Sequence, residues 1–222
     1  MLKVKVKSPK GVENNMIAIY NTHLNDVLML ITGDNQGEKL TATRQTNVAK
    51  VMREDNGQVV AWNFFDASTL FPITGNGQVD LSDADVAQLN DAIKAAGFEE
   101  VLVPDHAPKF VVGEIVDLVP HPDSDHLNIA QVKISEDETI QIVAGAPNAR
   151  LGLKTIVTLP GAMMPSGALI FAGQLRGEAS FGMMASPREL ALPNASQKRG
   201  IIELAASEIP GTAFDPAKHW QK

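Results

Sequence analysis

The amino-acid sequence predicts two domains: a small α+β domain over residues 1–108, then an all-β domain built as a small closed barrel of five strands. Three observations carry this expectation. At 222 residues the chain is longer than one small module and fits one large domain or two ordinary ones. The stretch Val103-Pro104-Asp105-His106-Ala107-Pro108 places two prolines within five residues, which keeps the backbone extended and stops a helix from crossing. The patterning also changes there. A capped amphipathic helix lies before the prolines, and short apolar runs separated by Gly and Pro lie after them.

Element by element, Leu2, Val4 and Val6 alternate with Lys3, Lys5 and Lys7, the period of a half-exposed strand. Met16–Tyr20 is a second strand. Val48–Arg53 and Gln58–Phe64 flank Asn56-Gly57, a strong hairpin signal. A helix is expected from about 83 to 96, with Ser82 as N-cap, Asp85 three residues on as in a capping box, an apolar stripe of Val86, Leu89, Ile93 and Ala96, and Gly97 just past the end. Trp62 and Phe64 read as core. After the boundary, strands are expected at Val111–Val119, Leu127–Ile134, Thr139–Val143, Thr155–Leu159 and Ala168–Leu175, which suits a closed barrel better than a βαβ unit. A short helix is expected at Pro187, capped by Ser186.

Composition excludes several function classes. With no cysteine, the chain has no disulfide framework, zinc ribbon, iron–sulfur site or thiol nucleophile. Hydrophobic residues at 44% are enough for a packed core, while aromatics at 5% are too few for an extended base-stacking platform. There is no apolar signal-type segment at the N-terminus and no long apolar run, so the expected location is cytoplasmic, without membrane contact. The net charge of −7 argues against coating nucleic acid by bulk charge. That charge is uneven: residues 109–138 carry two Lys/Arg and seven Asp/Glu, whereas 139–200 carry six and two, a net of +4. A local basic face can contact phosphates even on an acidic protein.

No catalytic constellation is legible. His121-Pro122-Asp123-Ser124-Asp125-His126 is the densest cluster of metal-type ligands and approaches the H-x-H-x-D-H zinc motif, but Asp123 replaces the second histidine. His23, His106 and His219 bring no companion carboxylate motif, so the segment reads as a β–turn–β corner in which His121 braces a loop. Ser180 and Ser186 lie outside G-x-S-x-G, and no phosphate-loop or dinucleotide glycine motif is present. No enzyme activity, cofactor or metal is expected. The pairs Met163/Met164 and Met183/Met184 read as core filling or as an adaptable apolar contact surface.

Taken together, five motifs in order carry a family resemblance: Val112-Gly113; His121-Pro122 with Asp125-His126-Leu127; Gln131-Val132; Ile142 to Asn148 with Gly161 to Gly167; and Leu175-Arg176-Gly177 through Ser180, Met183 and Met184 to Ser186. This order resembles the tRNA-binding OB-fold domain of bacterial phenylalanyl-tRNA synthetase β subunits over residues 109–210, leaving 211–222 as a tail. The whole layout resembles the stand-alone β-subunit-related type (the YtpR type). The resemblance implies a five-stranded Greek-key OB-fold barrel that binds tRNA or other structured RNA by shape and phosphate contacts, with no reaction. It implies an RNA-facing patch of Arg176, Ser180, Met183, Met184 and Ser186. Asn148 would read a base or 2′-OH, and Arg150, Lys154 and Arg188 would meet phosphates. The family's Asp-Lys-Leu element is Asp125-His126-Leu127 here, so one fixed positive charge is lost. A homodimer and a synthetase or ribosomal protein are further partner expectations. The alternative is a protein-interaction or dimerisation module of the translation machinery without RNA contact.

Overall fold

The computed structural model describes residues 16–220, so the strand expected at Leu2–Lys7 lies outside the described residues. The chain divides into two compact units between His106 and Ala107.

The first unit contains β1 (Ile17–Tyr20), β2 (Val27–Ile31), β3 (Leu40–Gln45), β4 (Val48–Arg53), β5 (Val59–Phe65), β6 (Gly77–Val79) and α1 (Asp83–Ala95). The strands form one antiparallel sheet in the order β3-β4-β5-β2-β1-β6. Alternate residues Leu28, Leu30, Trp62 and Phe64 are buried and meet Val86, Leu89 and Ile93 of α1. The Trp62 ring makes an edge contact with Phe98 at 5.4 Å. Helix α1 starts where its capping box dictates: Asp85 N–H donates to Ser82 Oγ, and Ser82 N–H donates to Asp85 Oδ2. Six strands against one helix make this unit mostly sheet, a shift from the α+β balance expected. The sequence reading lacked β2, β3 and β6. Residues of β3 are exposed on both faces, and β6 has only three residues, so neither carries the alternation that marks a strand.

The second unit contains β7 (Phe110–Pro120), β8 (Asn128–Lys133), β9 (Thr139–Ala144), β10 (Lys154–Thr158), β11 (Gly173–Leu175), β12 (Glu178–Ser180), β13 (Met183–Met184) and α2 (Pro216–His219). The five-stranded antiparallel sheet runs β13-β10-β7-β8-β9. Strand β7 is long enough to pair with β10 through Phe110–Glu114 and with β8 through Glu114–Pro120. An irregular register between Ile115 and Asp117 marks a bulge where the strand bends. The sheet curls until its edges nearly meet: Phe181 N–H donates to Gln141 O at 2.8 Å, and Val143 N–H donates to Ser180 Oγ at 3.1 Å. Val111, Ile115, Val132, Ile142, Val157 and Met184 fill the interior. Residues 211–214 run beside the start of β7, with Phe214 N–H donating to Phe110 O at 2.8 Å.

Four of the five strands expected here form. The fifth does not form as read. Residues 168–170 fold back on their own loop, with Gly161 N–H donating to Ile170 O and Ile170 N–H to Ala162 O, and only Gly173–Leu175 is strand, hairpinned to β12. Met183–Met184 takes the barrel edge instead, pairing with Thr158 and Val157. The expected helix at Pro187 is one capped turn: Glu189 N–H donates to Ser186 Oγ, Ser186 N–H donates to Glu189 Oε2, and Ala191 ends it at φ +50°. No helix among the described residues is long and apolar enough to cross a membrane.

Candidate functional site

The β7–β8 corner is organised by His121, which is only 3% exposed. Its Nδ1 accepts Asp123 N–H at 3.0 Å, so the ring proton sits on Nε2, 3.3 Å from Leu175 O. The corner is thereby joined to β11, and Arg176 adds a bond to Asp123 O at 3.0 Å. Arg176 occupies the tip of the β11–β12 hairpin at φ +50°, with its side chain exposed. His126 Nδ1 lies 2.9 Å from Asp125 Oδ1. The hydrogen bond from His126 is the largest influence holding the Asp125 carboxyl below the usual aspartate value; backbone N–H groups and nearby Arg176 act in the same direction. An ionised carboxylate only accepts, so His126 Nδ1 donates to Asp125. Among the described residues, no three His, Asp or Glu side chains gather as metal ligands.

Four of the residues named from sequence are bound into the fold. Asn148 is saturated: its Nδ2 donates to Ile201 O and Glu203 Oε1, and its Oδ1 accepts Ile201 N–H at 2.9 Å. Arg150 donates to Asn148 O and to Glu203 Oε2 at 2.7 Å. Glu203 pushes the Arg150 guanidinium upward from its usual value. Lys154 Nζ donates to the carbonyls of Ala206 and Glu208, tying β10 to the C-terminal segment. Ser180 Oγ accepts Val143 N–H and donates to Gly182 O, so its hydroxyl serves the barrel closure.

The remaining residues converge. Met183, Met184, Ser186 and Arg188 line an open groove of about 380 Å³, together with Gly145-Ala146-Pro147, His126, Leu127, Leu175, Arg199 and Gly200. The wall at Met183 is set by Gly182, at φ +131°. A Cβ there would lie 2.5 Å from Thr158 O, so only glycine lets this segment reach β10. The opposite side is set by Asn148, which clamps Gly200-Ile201 and so places Arg199 on the rim. Arg188 and Arg199 are exposed. The acidic lining side chain Glu189 is engaged by Ser186 N–H at 2.7 Å. Sequence reasoning did not select Arg199, His126 or Leu175 as contact residues. The adjacent pair Lys198-Arg199 before Gly200 was the available signal, but its closeness to Met183 and His126 exists only in the folded chain.

A curled five-stranded sheet with a basic-rimmed groove on one side defines a binding domain, and residues 110–213 match the family described as "Putative tRNA binding domain". Residues 35–105 match the "Domain of unknown function (DUF4479)". The chain is 39% identical over 200 residues to "Putative tRNA-binding protein YtpR" of Bacillus subtilis, covering 90% of this chain and 99% of that protein. It belongs to the YtpR family. It is also 44% identical over 146 residues to the phenylalanine–tRNA ligase β subunit of Rhodospirillum rubrum, and 41% identical over 130 residues to that of Idiomarina loihiensis. Those matches cover 61% and 57% of this chain but only 18% and 16% of the ligase subunits.

Proposed function

We propose that this chain is a non-catalytic, cytoplasmic tRNA-binding protein that uses its C-terminal barrel, an OB-fold of residues 109–210, as the binding domain. The observation that carries the reading is the overlap of the tRNA-binding-family match with the groove: Met183, Met184, Ser186, Arg188 and Arg199 all fall within residues 110–213. Among the described residues, Arg176, Arg188 and Arg199 have no carboxylate within salt-bridge distance, so their charge is open to phosphates. Arg150 and Lys154 support these contacts indirectly, by fixing the segments around the groove. Residues 1–108 act as a scaffold or partner surface.

Titration of tRNA with the whole chain at increasing salt tests this. Three neutralised phosphates give a slope of log K against log salt of roughly −2 to −3. No binding at high micromolar protein in low salt overturns the reading. A second reading, docking or dimerisation with a synthetase or ribosomal protein and no RNA contact, is favoured by Leu151 and Ile209, both more than two-thirds exposed on this unit. A partner retained after ribonuclease treatment, with tRNA binding absent, selects it.

A further inference from the structure

The groove has a feature that phosphate contact alone does not require. Its rim is cationic, with Arg188 and Arg199, and carries the His126 ring, but Met183, Leu127 and Leu175 line it with apolar surface. A phosphate backbone needs only the rim. A paired A-form helix keeps its bases stacked inside and offers phosphates and 2′-hydroxyls, none of which matches an apolar lining. An unpaired nucleotide has both parts, a flat polarisable base and an adjoining phosphate. At about 380 Å³ the groove is at the small end of ligand pockets, roughly 300–1,000 Å³, and takes a single residue of RNA rather than a duplex. The thioether of half-buried Met183 is a soft, adaptable contact for a base face. The polar rim is held ready: Asp125 fixes the His126 ring through Nδ1, Asn148 clamps the backbone next to Arg199, and Ser186 engages Glu189.

We propose that this groove seats one unpaired nucleotide of the bound RNA, with the base against Met183, Leu127 and Leu175 and its phosphate at Arg188 and Arg199. This rests on the tRNA-binding reading and adds to it that the RNA must present a base outside a helix. It also makes the contact with paired regions secondary.

The test compares three probes on the full chain: a short, fully paired RNA duplex, the same duplex with one unpaired nucleotide in its middle, and free mononucleotides. The duplex with the unpaired nucleotide is expected to bind roughly tenfold tighter than the paired one, the scale of one seated base. That preference should disappear in Leu175→Asp and in Arg199→Ala, both exposed positions where folding is undisturbed. Free mononucleotides should compete only weakly. Equal affinity for the two duplexes, or a preference that persists in both variants, overturns the proposal. So does a mononucleotide that binds as tightly as the RNA, which assigns the groove to a free nucleotide instead. Intact tRNA, titrated in parallel, separates the two levels: if it binds while the duplexes are not distinguished, only the groove assignment fails; if it does not bind, the parent reading fails as well.

Discussion

Two parts of the same basic stretch behave in opposite ways. Around the start of β10, Asn148, Arg150 and Lys154 each hydrogen-bond residues within 201–208 and hold the C-terminal segment on the barrel. On the groove lining, Arg188 and Arg199 are exposed, with no carboxylate partner within salt-bridge distance among the described residues. The net of +4 over residues 139–200 makes no distinction between them. Positive charge in a sequence is a count, whereas charge available to a ligand is what remains after the fold has used its share.

Several changes would break or sharpen this contrast. The largest effect is expected for Gly182→Ala. Its Cβ would meet Thr158 O at 2.5 Å, and its φ lies in the left-handed region. A loss of about 3 kcal/mol is expected in denaturant unfolding, with tRNA binding lost as the Met183 wall moves. Lys154→Met should cost about 2 kcal/mol, because the ammonium serves two carbonyls of the C-terminal segment. Its tRNA salt slope should stay unchanged; a smaller slope would show that Lys154 contacts phosphate and would erase the contrast. Arg199→Ala should do the reverse: stability within about 0.5 kcal/mol, weaker tRNA binding, and a slope reduced by roughly 0.7–0.9. Arg150→Gln removes an ion pair exposed to solvent on both sides and should cost under about 1 kcal/mol.

The smallest effect is a pH dependence at the C-terminal segment. Lys218 hydrogen-bonds Glu208 at 2.8 Å, and that bond leads the influences holding the Glu208 carboxyl below its usual value. A carboxylate with a depressed folded-state value stabilises the fold above the ordinary glutamate range and loses that contribution as pH falls through the folded-state value. Trp220 reports it locally, because its Nε1–H donates to Pro193 O at 2.7 Å. Its fluorescence should change below about pH 4.5, before global unfolding. Simultaneous transitions would show that the segment has no separate response.

Much of the fold was legible where local rules act alone. Ser82 and Asp85 mark the start of α1 because a capping box involves four consecutive residues. Asn56-Gly57 marks the β4–β5 connection, although the turn is wider than two residues, with Arg53 N–H donating to Gln58 O. The barrel edge was not legible. A two-residue strand at Met183–Met184 has no periodicity, and Ala168–Leu175 looked like a better strand, while residues 168–170 pack on their own loop and only Gly173–Leu175 is strand. Motif order brought Met183, Met184, Ser186 and Arg188 together as candidates, and the fold places all four on one groove. The roles of Asn148 and Lys154 were not legible, because their partners lie more than fifty positions along the chain.

The pairing of residues 211–214 with the start of β7 has one more consequence. Because Phe110 and Phe214 are hydrogen-bonded neighbours, the points where the chain enters and leaves the barrel lie side by side. A unit with adjacent ends can be spliced into a host protein without stretching either flank, and it can be circularly permuted at a distant loop. That geometry makes this barrel portable.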